Sequence, residues 1–163
     1  MSYLNVVNSF RSIAAALNPS GVFEHCRSWD ASLEFSSPNC HIFLYPLRWR
    51  TNKKAAFIDR YSVVMCFYFQ DAPDSTNQQR EIIIASAKNL WDSFYIQLDS
   101  VVGFQLDEAR AEPKFRTGAG TYSGIITEFQ ITTSTNICAT DTYLLNTDNM
   151  ILTNTDGTPL QNT

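Results

Sequence analysis

Charge is scarce in this sequence. Only 17% of its 163 residues are Asp, Glu, Lys or Arg, against roughly a quarter in an average soluble domain. The surface must therefore be covered by neutral polar groups or hidden by partners. Basic residues are scarcer than acidic ones and the net charge is −4, so bulk attraction to nucleic acid is not expected. No apolar run approaches the roughly 20 residues a membrane span needs. The opening "MSYLNVVNSFRSIAAALN" lacks the basic start and continuous apolar stretch of a secretory signal. The four cysteines, Cys26, Cys40, Cys66 and Cys138, form no CxxC. Their irregular spacing reads as free thiols in a reducing compartment, so synthesis in a cytoplasm is expected.

What is present is apolar and aromatic. A hydrophobic content of 44%, with 13% aromatic, supports one globular domain with a substantial core. Ser2 to Leu17 reads as a helix. Val6 or Val7, Phe10, Ile13 or Ala14 and Leu17 form its stripe, Ser2 is a plausible N-cap, and "NPSG" stops it. A β-rich block follows, with "VFEHCRSW", "SLEFSS" and the stronger "HIFLYPLRWR". Pro46 lacks a donor and is expected at an edge, a bulge or a strand end. After the polar connection "TNKKAAF", the segment "IDRYSVVMCFYFQ" gives the strongest strand. It lacks strongly polar residues from Val63 to Phe69 and is expected at the sheet centre with both faces covered. Asn77 to about Val101 is a second, longer helix whose stripe runs through Ile83, Ala87, Leu90, Phe94, Leu98 and Val101, widened by Ile84, Trp91 and Tyr95.

Beyond Gly103, "LDEARAEPKFRTGAG" mixes charge, proline and glycine. It reads as a long loop or a protruding, twisted hairpin arm. In "TYSGIITEFQITTS" strand alternation returns, with Ile125, Thr127, Phe129 and Ile131 on one face and Glu128, Gln130 and Thr132 on the other. The Thr- and Asn-rich end after Ala139 contains no basic residue. Its two apolar clusters, Tyr143–Leu144–Leu145 and Met150–Ile151–Leu152, are too small to bury a core of their own. The expected class is α+β: a largely antiparallel sheet with both helices packed on one face. Residues 1–138 form a single domain with its arm at 103–120, and 139–163 form an extended C-terminal tail.

The candidate chemistry is thin. "QDAPDSTNQQ" joins a strand to a helix, the usual place for a phosphate cradle or a nucleophile. It has no glycine and no following Lys, so it is not a cradle. Ser75 lies between Asp74 and Thr76 rather than among small residues, so it is not an elbow. A proline turn and helix capping explain it, through Ser75 with Gln78 or Thr76 with Gln79. The adjacent pairs His25–Cys26 and Cys40–His41 would point to opposite faces of a strand, unlike zinc ligands. They read as buried thiols and ordinary strand histidines. No catalytic, metal-binding or cofactor-binding residue is assigned, and no cofactor is expected.

Two clusters suit protein contacts, with a solvated hairpin tip for the first and a solvated loop for the second as the plain alternatives. "RWRTNKK" is the one basic cluster, with Arg48, Trp49, Arg50, Lys53 and Lys54; an Arg–Trp mixture of this kind also fits nucleic acid. The arm carries Arg110, Lys114, Phe115 and Arg116, with Phe115 exposed between two cations.

The order of parts resembles the tail terminator and head–tail connector, or neck, proteins of tailed bacteriophages. The likeness spans about residues 2–136. It lies in the N-terminal helix, the β block ending in "DRYSVVMCFYFQ", the acidic turn, the helix "QQREIIIASAKNLWDSF" and the strand "YSGIITEFQITTS". The resemblance implies a structural virion protein without enzymatic activity. Such a subunit forms a homo-oligomeric ring of roughly six or twelve copies and joins portal or connector proteins to tail proteins. DNA passing through the lumen is touched only indirectly, and no membrane is involved. The long Thr/Asn-rich tail departs from compact members of that family. Alternatives are another phage part, such as a tail hub, baseplate or capsid accessory subunit, and a small enzyme using Cys40 or Cys26 with a histidine.

Overall fold

The computed structural model describes residues 2–25, 40–52, 58–117 and 122–134. The chain opens with helix α1 (Tyr3–Leu17), then strands β1 (Val22–His25), β2 (His41–Leu44), β3 (Arg48–Asn52) and β4 (Ile58–Gln70). Helix α2 (Asn77–Asp99) follows, then β5 (Phe104–Leu106), β6 (Arg110–Thr117) and β7 (Tyr122–Ser134). The class is α+β, with two helices and a seven-stranded, mostly antiparallel sheet among the described residues.

The sheet is built on two long central strands. β4 and β7 pair antiparallel along their whole length, from Ile58 opposite Ser134 to Gln70 opposite Tyr122. The outer edge of β4 carries β2 and β3, with β1 running parallel beside β2. The outer edge of β7 carries β5 and β6. β2 and β3 are one strand broken at Pro46. Leu44 faces Met65 while Arg48 faces Ser62, so three residues on the outer strand oppose two on β4. Such a bulge inverts the face each later side chain takes. Leu44 and Leu47 consequently both reach the main core.

Both helices cover one face. Ser2 caps α1 by accepting from the Asn5 N–H, and Thr76 with Gln79 forms the capping box of α2. On α2, Ala87, Trp91, Phe94 and Leu98 are buried, flanked by half-buried Ile83, Ile84, Leu90 and Tyr95. They meet Phe10 of α1, Phe67 of β4 and Phe129 of β7. Ring centroids lie 5.8 Å apart for Phe10–Phe94, 5.6 Å for Phe67–Phe94 and 5.3 Å for Trp91–Phe129. Each such pair adds about 0.5–1.5 kcal/mol beyond its area burial. Gly124 lets the central strands meet: a Cβ there would lie 1.9 Å from the Phe67 carbonyl oxygen.

The opposite face is divided. At one end Phe43, Cys66, Tyr68 and Tyr122 make a second buried cluster. Toward the other end, beyond the Pro46 bulge, the exposed residues Arg48, Arg50, Arg60, Ser62, Glu128 and Gln130 appear.

Of the two expectations for the arm, the hairpin holds: β6 pairs antiparallel with β7, the next strand. Residues 110–114 run in register against 128–124 of β7, and Thr117 faces Tyr122, so this segment is an edge strand and does not protrude. The ladder supplied by β7 holds a sequence that has little apolar alternation of its own. Pro113 is tolerated because an edge strand needs no donor on its outer side. Residues 118–121 and the C-terminal tail lie outside the described residues, as do "SLEFSS", Cys26 and Cys138.

Candidate functional site

The most exposed chemistry lies on the helix-free sheet face. In the β3–β4 ladder, Arg50 stands directly opposite Arg60, and Arg48 opposite Ser62. Ser62 in turn faces Gln130 of β7. These five side chains, with Trp49 at the rim, line a groove of about 480 Å³. Every polar side chain in it can donate, and among the described residues no carboxylate lines it. None of the three arginine side chains makes a hydrogen bond or ion pair among the described residues. Like charges directly opposite on neighbouring strands are destabilising, so this arrangement does not stabilise the ladder. Trp49 turns toward the helices, its ring 5.6 Å from Tyr3, yet it remains 59% exposed.

The opposite edge of the sheet is acidic. Asp99 at the end of α2 and Asp107 and Glu108 between β5 and β6 are exposed. The Tyr95 hydroxyl donates to the Asp107 carbonyl oxygen at 2.8 Å. Burial, then the charges of Asp99, Asp107 and Glu108, raise the Tyr95 pKa. The Asp107 N–H donates to the Gln130 carbonyl. Arg48, Ser62, Gln130 and Asp107 therefore share one rung, basic at one end and acidic at the other.

A polar knot ties the strand–helix loop to the arm. Asp71, the residue after β4, is buried, and its Oδ2 accepts from Ser123 Oγ at 2.6 Å and Arg80 Nε at 3.0 Å. Burial would raise the Asp71 pKa, but Ser123, the nearby Ser75 hydroxyl and Arg80 outweigh it, and the net shift is downward. Arg116 sits at a positive φ of 50° in the β6 bulge, a strained backbone for a non-glycine residue. Its N–H donates to Ser123 Oγ and its Nη2 to the Pro73 carbonyl. Phe115 and Arg116 lie with Asn77, Arg80 and Glu81 around a second hollow of about 390 Å³.

The remaining predicted contacts divide between places. Arg110 and Lys114 both pair with Glu112, a single carboxylate shared by two cations. Arg48 and Arg50 stand together on the β3 side, across the sheet from Arg110, Lys114, Phe115 and Arg116 on β6. Lys53, Lys54, Tyr143, Leu144, Leu145, Met150, Ile151 and Leu152 lie outside the described residues. Sequence reasoning missed Arg60, Ser62 and Gln130, because only the hairpin register shows which β4 residue meets Arg50. It also missed the Asp71 knot, whose partner Ser123 is 52 residues away.

The described thiols are quiet. Burial pushes Cys40 up to about 12 and Cys66 up to about 11, so both are protonated at neutral pH. His25 bonds the Tyr3 hydroxyl at 3.0 Å and the Leu44 carbonyl at 3.2 Å. Among the described residues no group of His, Cys, Asp or Glu could hold a metal ion. No helix there is long and apolar enough to cross a membrane.

No protein-family model and no curated protein matches the chain.

Proposed function

We propose that this chain is a structural virion protein, a ring-forming subunit at the head–tail junction of a tailed bacteriophage that joins portal or connector to tail. One observation carries the reading. A single α+β subunit exposes a basic groove that no described residue compensates and, at the far edge of the same sheet, an acidic patch. Two different and complementary surfaces are what a subunit needs to repeat a head-to-tail contact until a ring closes. The order of elements agrees with the neck and tail-terminator resemblance. The Cys/His enzyme reading gains no support from thiols held protonated by burial.

Light scattering combined with negative-stain imaging tests the proposal. The purified protein, alone or with a portal or tail-tube partner, is expected to form closed rings. A protein that stays monomeric at high concentration and forms no ring on either partner overturns it. Retention on DNA that falls steeply with salt, lost on replacing Arg48, Arg50 and Arg60, would instead make the groove a nucleic-acid site.

A further inference from the structure

We infer that the arginine groove of one copy receives the acidic edge of the next, with Arg48, Arg50 and Arg60 set against Asp99, Asp107 and Glu108. The inference rests on the ring reading and names its interface. Three observations lead to it. Among the described residues the groove holds three guanidinium groups without a counter-charge, and two of them face each other across a ladder. The far edge holds three exposed carboxylates grouped around Tyr95. Groove and acidic turn lie on the same rung, since Arg48, Ser62, Gln130 and Asp107 follow one another across four strands.

The charges match in number and sign. The groove spans β3, β4 and β7, so a neighbour's edge would lie over the bare part of the sheet face rather than merely abut it. That part begins where the second aromatic cluster ends. The shared rung fixes the symmetry. A neighbour related by rotation about an axis along the strands meets the groove without climbing along that axis. This is the condition for a closed ring rather than an open helix. Arginine suits the contact because its planar fork binds carboxylates in pairs.

The test uses two full-length variants, each blocked on one surface. Arg48→Glu/Arg50→Glu reverses the groove, and Asp107→Lys/Glu108→Lys reverses the edge. Each alone is expected to associate at least about 30-fold more weakly than wild type, the scale of losing buried charge partners. Mixed in equal amounts they are expected to co-assemble, because both altered surfaces again meet opposite charge. Mixing also guards against misfolding, since an unfolded variant could not restore assembly. If wild type forms rings and both variants do so equally well, this interface is wrong and the ring reading stands. If the variants fail singly and also fail when mixed, the pairing is likewise wrong. A wild type that never assembles removes the ring reading itself.

Discussion

Replacing Asp71 by asparagine keeps the shape of the side chain and removes its charge. In the wild type the buried carboxylate accepts from Ser123 at 2.6 Å and from Arg80 at 3.0 Å. Hydrogen bonds to a charged group contribute about 1.5–3 kcal/mol, and breaking a fully buried pair costs about 3–5. The lower range applies here. The Arg80 side chain is 14% exposed, so water partly rehydrates the guanidinium that loses its partner. The expected loss is about 2 kcal/mol, or roughly 4–8 °C in Tm for a chain of this size. Urea unfolding followed by tryptophan fluorescence measures it.

The pH dependence gives the sharper check. The folded-state pKa of Asp71 is lowered, below the unfolded value of about 3.9. Its contribution is therefore complete above that unfolded value and is lost as pH falls through the folded one. The gap between wild type and Asp71→Asn should be constant from neutral pH down to about 5, then close in stronger acid. A variant within about 0.5 kcal/mol of wild type at neutral pH would refute the reasoning. So would a gap that persists unchanged into acid.

Two further substitutions probe the sheet. Gly124→Ala places a Cβ against the Phe67 carbonyl, a backbone atom that cannot swing away; thermal unfolding is expected to show a loss of about 2–3 kcal/mol, and a neutral result would mean the central strands separate more easily than their register implies. Arg60→Thr removes the like charge opposite Arg50, so dilute subunits are expected to gain a few tenths of a kcal/mol at low salt and less at high salt, and a destabilised variant would show that Arg60 has an intramolecular partner.

Periodic apolar spacing made the helices legible. The stripe of α2 from Ile83 to Leu98 is the face that meets the sheet, and the unbroken apolar run of β4 marks a strand with neighbours on both sides. Pro46 likewise announced an irregularity, found as the bulge between β2 and β3. The arm was legible as one of two alternatives, a loop or a hairpin, but not as a strand within the sheet. Four of the eight residues of β6 are charged, and a fifth is Pro113. Its place in the sheet comes from the β7 ladder and not from its own pattern. Asp71 looked like the start of a turn because its partners, Arg80 and Ser123, are nine and 52 positions distant. The groove was half visible: Arg48 and Arg50 are adjacent in the sequence pattern, while Arg60 joins them only through register.

Asp71, Arg116 and the Arg50–Arg60 pair each break a local rule, and how each is compensated separates architecture from interaction. A buried carboxylate is costly, yet Asp71 is met by a hydroxyl and a guanidinium from its own chain. A positive φ is costly for arginine, yet Arg116 is anchored by Ser123 and Pro73. Both are met by partners from the same chain, at Asp71 through Oδ2, and together they lock the β4–α2 loop to the end of β6. The opposition of Arg50 and Arg60 has no such remedy within the described chain. Sequences tend to keep uncompensated violations where function requires them. By that argument the knot at Asp71 is structural, although it occupies the strand–helix junction where an active site is often sought. By the same argument the arginine groove, uncompensated among the described residues, is the candidate for interaction with an anionic partner.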